Sequence, residues 1–94
     1  MAIVDVVFTR KESSGLKQSV IRADAEYLEF NSNNEATLEL DDTKVHLVRW
    51  YMFGNPSSTL SLTYEYEGKK KTAFESKIPS NRNRKTDFTI IELK

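Results

Sequence analysis

Leu60, Leu62, Tyr64 and Tyr66 alternate with Ser61, Thr63 and Glu65 and run into a turn at Glu67 and Gly68. Successive side chains of a β-strand point to opposite faces, so this period of two predicts a strand with one face in a core and one in water. The first strand-like stretch, 3–9, is β-branched and aromatic, with Val4, Val6 and Phe8 on one face and Ile3 and Val7 on the other. Ser13, Ser14 and Gly15 predict a turn. From Ser19 onward, Ile21, Ala23, Ala25 and Tyr27 share a face, after which the phase switches to Leu28 and Phe30. A bulge near Tyr27 would produce such a switch, because one inserted residue moves the following side chains to the opposite face. Ala, Asp, Glu and Leu across 23–29 also suit a helix, but caps are lacking and strand-like segments flank the stretch, so a strand is preferred.

Asn31, Ser32, Asn33 and Asn34 predict a turn tolerant of left-handed backbone. Ala36, Leu38 and Leu40 then alternate with Thr37 and Glu39 until Asp41, Asp42 and Thr43 break the run. The most apolar segment, 45–53, is ended by Gly54, Asn55, Pro56, Ser57 and Ser58. Beyond Gly68, 72–78 is a weaker strand expected to fold back as a hairpin, 79–86 is a polar, basic loop, and 87–93 closes the chain. That last segment is expected to change phase between Phe88, Ile90 and Ile91, Leu93. About seven short strands with turns between them predict an all-β protein, an antiparallel β-sandwich or small barrel forming a single domain over 1–94.

A chain of 94 residues can bury one modest core without covalent staples. The absence of cysteine excludes a disulfide framework, a thiolate metal cluster and a cysteine nucleophile. The first residues carry Asp5 and no basic segment of a signal peptide, and nothing approaches the roughly 20 apolar residues of a membrane span, so a soluble, cytoplasmic protein is expected. Fourteen basic and fourteen acidic residues cancel, which argues against general binding of polyanions. The charges are nevertheless segregated. Asp24, Glu26, Glu29, Glu35, Glu39, Asp41 and Asp42 follow one another with no Lys or Arg among them, whereas Lys69, Lys70, Lys71, Lys77, Arg82, Arg84 and Lys85 are opposed only by Glu75.

Catalytic chemistry finds little support. His46 is the single histidine, with no second one at ligand spacing, and is expected to be a sheet residue. There is no nucleophile elbow and no glycine-rich phosphate loop, the glycines being Gly15, Gly54 and Gly68 alone. An enzyme is not expected, nor is a cofactor. Asp41 and Asp42, together with the amide turn Asn31, Asn33, Asn34, supply the hard oxygens that calcium takes, without the spacing of an EF-hand. They define the alternative reading, a calcium- or carbohydrate-binding module. Lys69, Lys70, Lys71, Arg82, Arg84 and Lys85 are candidate anion contacts, but no interleaved aromatics are present to stack on bases, and nucleic acid is not an expected partner. Lysines at a hairpin tip also discourage edge-to-edge pairing of sheets.

The strongest functional signal is 45–53. One parity carries Val45, Leu47, Arg49, Tyr51 and Phe53, the other His46, Val48, Trp50 and Met52, and both are substantially apolar. A strand in a two-layer sandwich has only one face in the core. The second face is then covered by loops or chain ends, or it is a recognition surface, and Tyr, Trp and Arg are enriched at interface hot spots. The expected function is a non-enzymatic protein-binding module with Arg49, Trp50, Tyr51 and Phe53 as candidate contacts, the partner being another protein or a second copy of the chain.

Overall fold

Alternation of apolar and polar residues is realised as eight strands, all paired antiparallel: β1 (Ile3–Glu12), β2 (Leu16–Ala23), β3 (Glu26–Tyr27), β4 (Glu35–Asp41), β5 (Val45–Gly54), β6 (Thr59–Tyr66), β7 (Lys69–Lys77) and β8 (Arg84–Glu92). The computed structural model describes residues 2–93, and no helix occurs among them. Two four-stranded sheets result, sheet I in the order β4-β1-β6-β7 and sheet II in the order β3-β2-β5-β8. The two sheets pack face to face as a β-sandwich, as the sequence predicts.

The core lies between them. Val6, Phe8, Leu60 and Leu62 from sheet I and Ile21, Val48 and Met52 from sheet II lose essentially all contact with water. Each such side chain contributes about 1.5–3 kcal/mol relative to exposure. Leu60, Leu62, Tyr64 and Tyr66 are all buried, as their alternation requires. The sheets are bridged by Trp50 of β5, whose ring stacks on Phe74 of the edge strand β7 with centroids 3.6 Å apart and planes 7° from parallel.

Turns set the register. Glu67 (φ 50°) and Gly68 (φ 76°) both lie in the left-handed region, the combination that two-residue hairpins favour because it matches the twist of the strands, and Tyr66 pairs with Lys69 across it. Between β2 and β3 the chain reverses at Asp24 (φ 55°) and Ala25, pairing Ala23 with Glu26 and Arg22 with Tyr27. This reversal, not a bulge near Tyr27, causes the phase switch, which falls at Asp24 and Ala25 and leaves Tyr27 on the face opposite Ile21 and Ala23, and it adds the short eighth strand to the seven expected. The bulges fall elsewhere, between Leu16 and Gln18 and opposite Leu62 and Thr63. The C-terminal phase change is likewise corrected. The β5–β8 register is unbroken from Arg84 to Glu92, so Phe88 and Ile90 point out and Ile91 points in from one regular strand.

Candidate functional site

In β5 the even parity faces the core. His46, Val48, Trp50 and Met52 are buried, and Arg49, Tyr51 and Phe53 lie on the outer face of sheet II. Trp50 is therefore withdrawn from the surface candidates: it is 7% exposed, and its role is the stack on Phe74. The outer face is not covered. Tyr27, Val45, Phe88 and Ile90, all on it, are 60%, 57%, 62% and 58% exposed.

Register assembles this face into rows running across the strands. One row reads Tyr27, Arg22, Arg49, Phe88 through β3, β2, β5 and β8. Val20, Tyr51 and Thr86 form the row on one side, Leu47 and Ile90 the row on the other. Around the first two of these rows lies an open groove of about 450 Å³. At its centre two arginines are directly opposite each other, an arrangement that like charges disfavour. Neither forms an ion pair among the described residues, and Nε of Arg22 is buried without a hydrogen-bond partner. The Arg22 guanidinium lies 5.6 Å from the centroid of the Tyr27 ring, and that of Arg84 lies 6.0 Å from the Phe53 ring. At the rim, the Asp87 carboxylate accepts the backbone N–H of Phe88 at 2.8 Å. This removes one donor from the open edge of sheet II, where an incoming strand would otherwise pair.

The hairpin that delivers Arg22 and Tyr27 is pinned by His46. Its Nδ1 is 2.7 Å from Asp24 Oδ2 and its Nε2 is 2.7 Å from the Asp41 carbonyl oxygen. A carboxylate and a carbonyl can only accept, so the two hydrogen bonds are made together only when both ring nitrogens carry a proton, as they do in the imidazolium. Burial works against that charge and is the largest single influence. The hydrogen bonds to Asp24 and Asp41, with the negative charge of both residues, together outweigh it and raise the imidazole above its ordinary value. Asp24 also accepts the Leu47 N–H through Oδ1 at 3.0 Å. Asp24 thus ties the β2–β3 turn to β5.

The residues of the calcium alternative are not brought together. The Asn31–Asn34 turn precedes β4 and Asp41 and Asp42 end it, so the seven residues of the strand hold them about 20 Å apart. Their oxygens are also engaged locally. Asp41 Oδ1 accepts from the Thr43 hydroxyl at 2.6 Å and the Thr43 N–H at 2.9 Å, Asp42 Oδ1 accepts the Ala2 N–H, and Asn31 Oδ1 accepts from Asn33 and Glu35. Among the described residues no three His, Cys, Asp or Glu side chains converge as a metal site, and no helix is long and apolar enough to cross a membrane.

The basic stretch is also divided. Lys69, Lys70 and Lys71 start β7, whereas Arg82, Arg84 and Lys85 follow its far end, about 20 Å along the strand. What the fold does preserve is charge segregation across the sandwich. Asp5, Glu26, Glu29 and Glu39 cluster where β3 meets β4, and the lysines of β7 with Arg84 and Lys85 of β8 occupy the opposite side, against Glu75, Asp87 and Glu92. No known protein family, curated protein or solved structure matches the chain.

Proposed function

We propose that the chain is a non-enzymatic recognition module that binds another protein through the outer face of sheet II, with β5 at its centre. The row Tyr27, Arg22, Arg49, Phe88 carries the reading, because it places aromatic and arginine side chains, the types enriched at interface hot spots, on an uncovered face. Exposed apolar patches rimmed by polar groups mark interaction sites on soluble domains. Charge favours a different protein over a second copy. A two-fold dimer through this face is isologous, and one with its axis at the centre of the face would set the Arg22 and Arg49 pair of one copy near the same pair of the other. An acidic partner meets no such repulsion.

A library of displayed peptides panned against the protein tests the reading. Enriched peptides are expected to lose roughly tenfold or more in affinity with Phe88→Ser, a truncation on the exposed face, and to bind Lys70→Ser as they bind the parent chain. Recovery of no binders, or of binders indifferent to Phe88→Ser, overturns it. Light scattering over a wide concentration range at low and high salt is expected to give the monomer mass, and a stable dimer abolished by Phe88→Ser would replace the foreign partner by a second copy.

A further inference from the structure

We infer that the Arg22 and Arg49 pair is a carboxylate-binding clamp that receives an acidic side chain, flanked by an apolar residue, from the partner protein. The inference rests on the recognition face proposed above and names the chemistry of what it recognises. Arg22 and Arg49 are cross-strand partners on adjacent strands, in a row that has an aromatic residue at each end. Neither has a carboxylate partner among the described residues, and Arg22 keeps a buried N–H unsatisfied. A fold in which Arg22 and Arg49 served stability would not place them opposite each other without a counter-charge, because like charges opposite one another in a sheet are destabilising. An arriving carboxylate offsets the repulsion and makes the charge-assisted, bidentate hydrogen bonds for which guanidinium is shaped.

The walls specify what accompanies the carboxylate. Val20, Tyr51 and Phe88 line the groove beside the arginines, so an apolar or aromatic group attached to the acid is buried as the acid binds. Asp87 at the rim adds a negative charge, which weights the site toward a singly charged carboxylate over a doubly charged phosphate.

Phenylacetate, a ring joined to a carboxylate, is the minimal probe, and phenylacetamide is its neutral counterpart. Titrations followed by NMR on the ¹⁵N-labelled protein are expected to move the Nε–H signals of Arg22 and Arg49 and the amides of Tyr51 and Phe88. Phenylacetate should bind about tenfold more tightly than phenylacetamide, and added salt should narrow the gap. Arg49→Gln should abolish the preference for the acid while leaving the unliganded melting temperature unchanged or raised, since it separates two like charges. A purely structural arginine would give the opposite, a lower melting temperature and unchanged probe binding, and that result overturns the clamp. Equal affinity for the two probes, binding of neither, or tighter binding of inorganic phosphate than of phenylacetate also overturns it. Peptides whose binding remains sensitive to Phe88→Ser would show in those cases that the recognition face stands without the clamp.

Discussion

His46 shows how one side chain can set the conditions under which the face exists. Placed between the Asp24 carboxylate and the Asp41 carbonyl, it holds the turn from which Arg22 and Tyr27 are presented, by two hydrogen bonds when it is protonated. Its folded-state pKa is raised, so the stability it contributes is fully present below the unfolded value of about 6.5 and is lost as pH rises through the folded value. Asp41 behaves in the opposite sense. The Thr43 hydroxyl, and then the Thr43 N–H, hold its carboxyl below the usual carboxylate value, so its contribution is present above the unfolded value of about 3.9 and is lost as pH falls. Thermal melts across pH are expected to show greatest stability between these limits, with the alkaline decline removed by His46→Gln. Asp24→Asn should cost about 1–2 kcal/mol in urea titrations while the imidazole is protonated, toward the lower end for a charged hydrogen bond because Asp24 is partly exposed, and less once rising pH has removed that proton. A histidine was visible in the sequence as a sheet residue, but its partners lie 22 residues before and 5 before, on two separate turns, and no local pattern connects them.

Among the elements, β5 combines a buried parity that builds the core with an outer parity that builds the face. The two candidate faces were legible from alternation alone; the choice between them was not, because each parity is mostly apolar and carries one polar residue, His46 beside Val48, Trp50 and Met52, and Arg49 beside Val45, Leu47, Tyr51 and Phe53. Nor could Arg22 be placed opposite Arg49 without the register, which depends on the reversal at Asp24 and Ala25 and on the bulge between Leu16 and Gln18. The segment 23–29 offered no glycine or proline to mark that reversal, only an aspartate in a left-handed conformation. By contrast the Glu67–Gly68 turn and the alternation in β6 were plain, since both the turn chemistry and the period sit within a few residues. Gly54, where β5 ends, marks another long-range constraint. A Cβ there would lie 2.6 Å from the Gly15 carbonyl oxygen and 2.8 Å from the Leu16 Cα, both backbone atoms. Gly54→Ala is accordingly expected to lower stability by about 1–3 kcal/mol in urea titrations, as overpacking against fixed neighbours does. Gly68→Ala meets no atom within 4 Å and should show only the backbone cost of its positive φ.

The whole molecule is a sandwich with 44 × 24 × 20 Å extents and a formal net charge of zero. Its exposed apolar face and its charges are organised on different axes: the face looks out through sheet II, while acid and base separate from the β3–β4 side to the β7–β8 side. Arg84 belongs to both, standing on the basic side and beside Phe53 on the face. The separation spans three interstrand steps, about 15 Å. A neutral protein with charges so displaced is an electric dipole, and the field of an approaching acidic surface exerts a torque on it before any atoms touch. The chain would turn its β8 flank toward that surface, so that the rate of productive encounter falls with ionic strength even though a molecule of zero net charge feels no net pull from a uniform field.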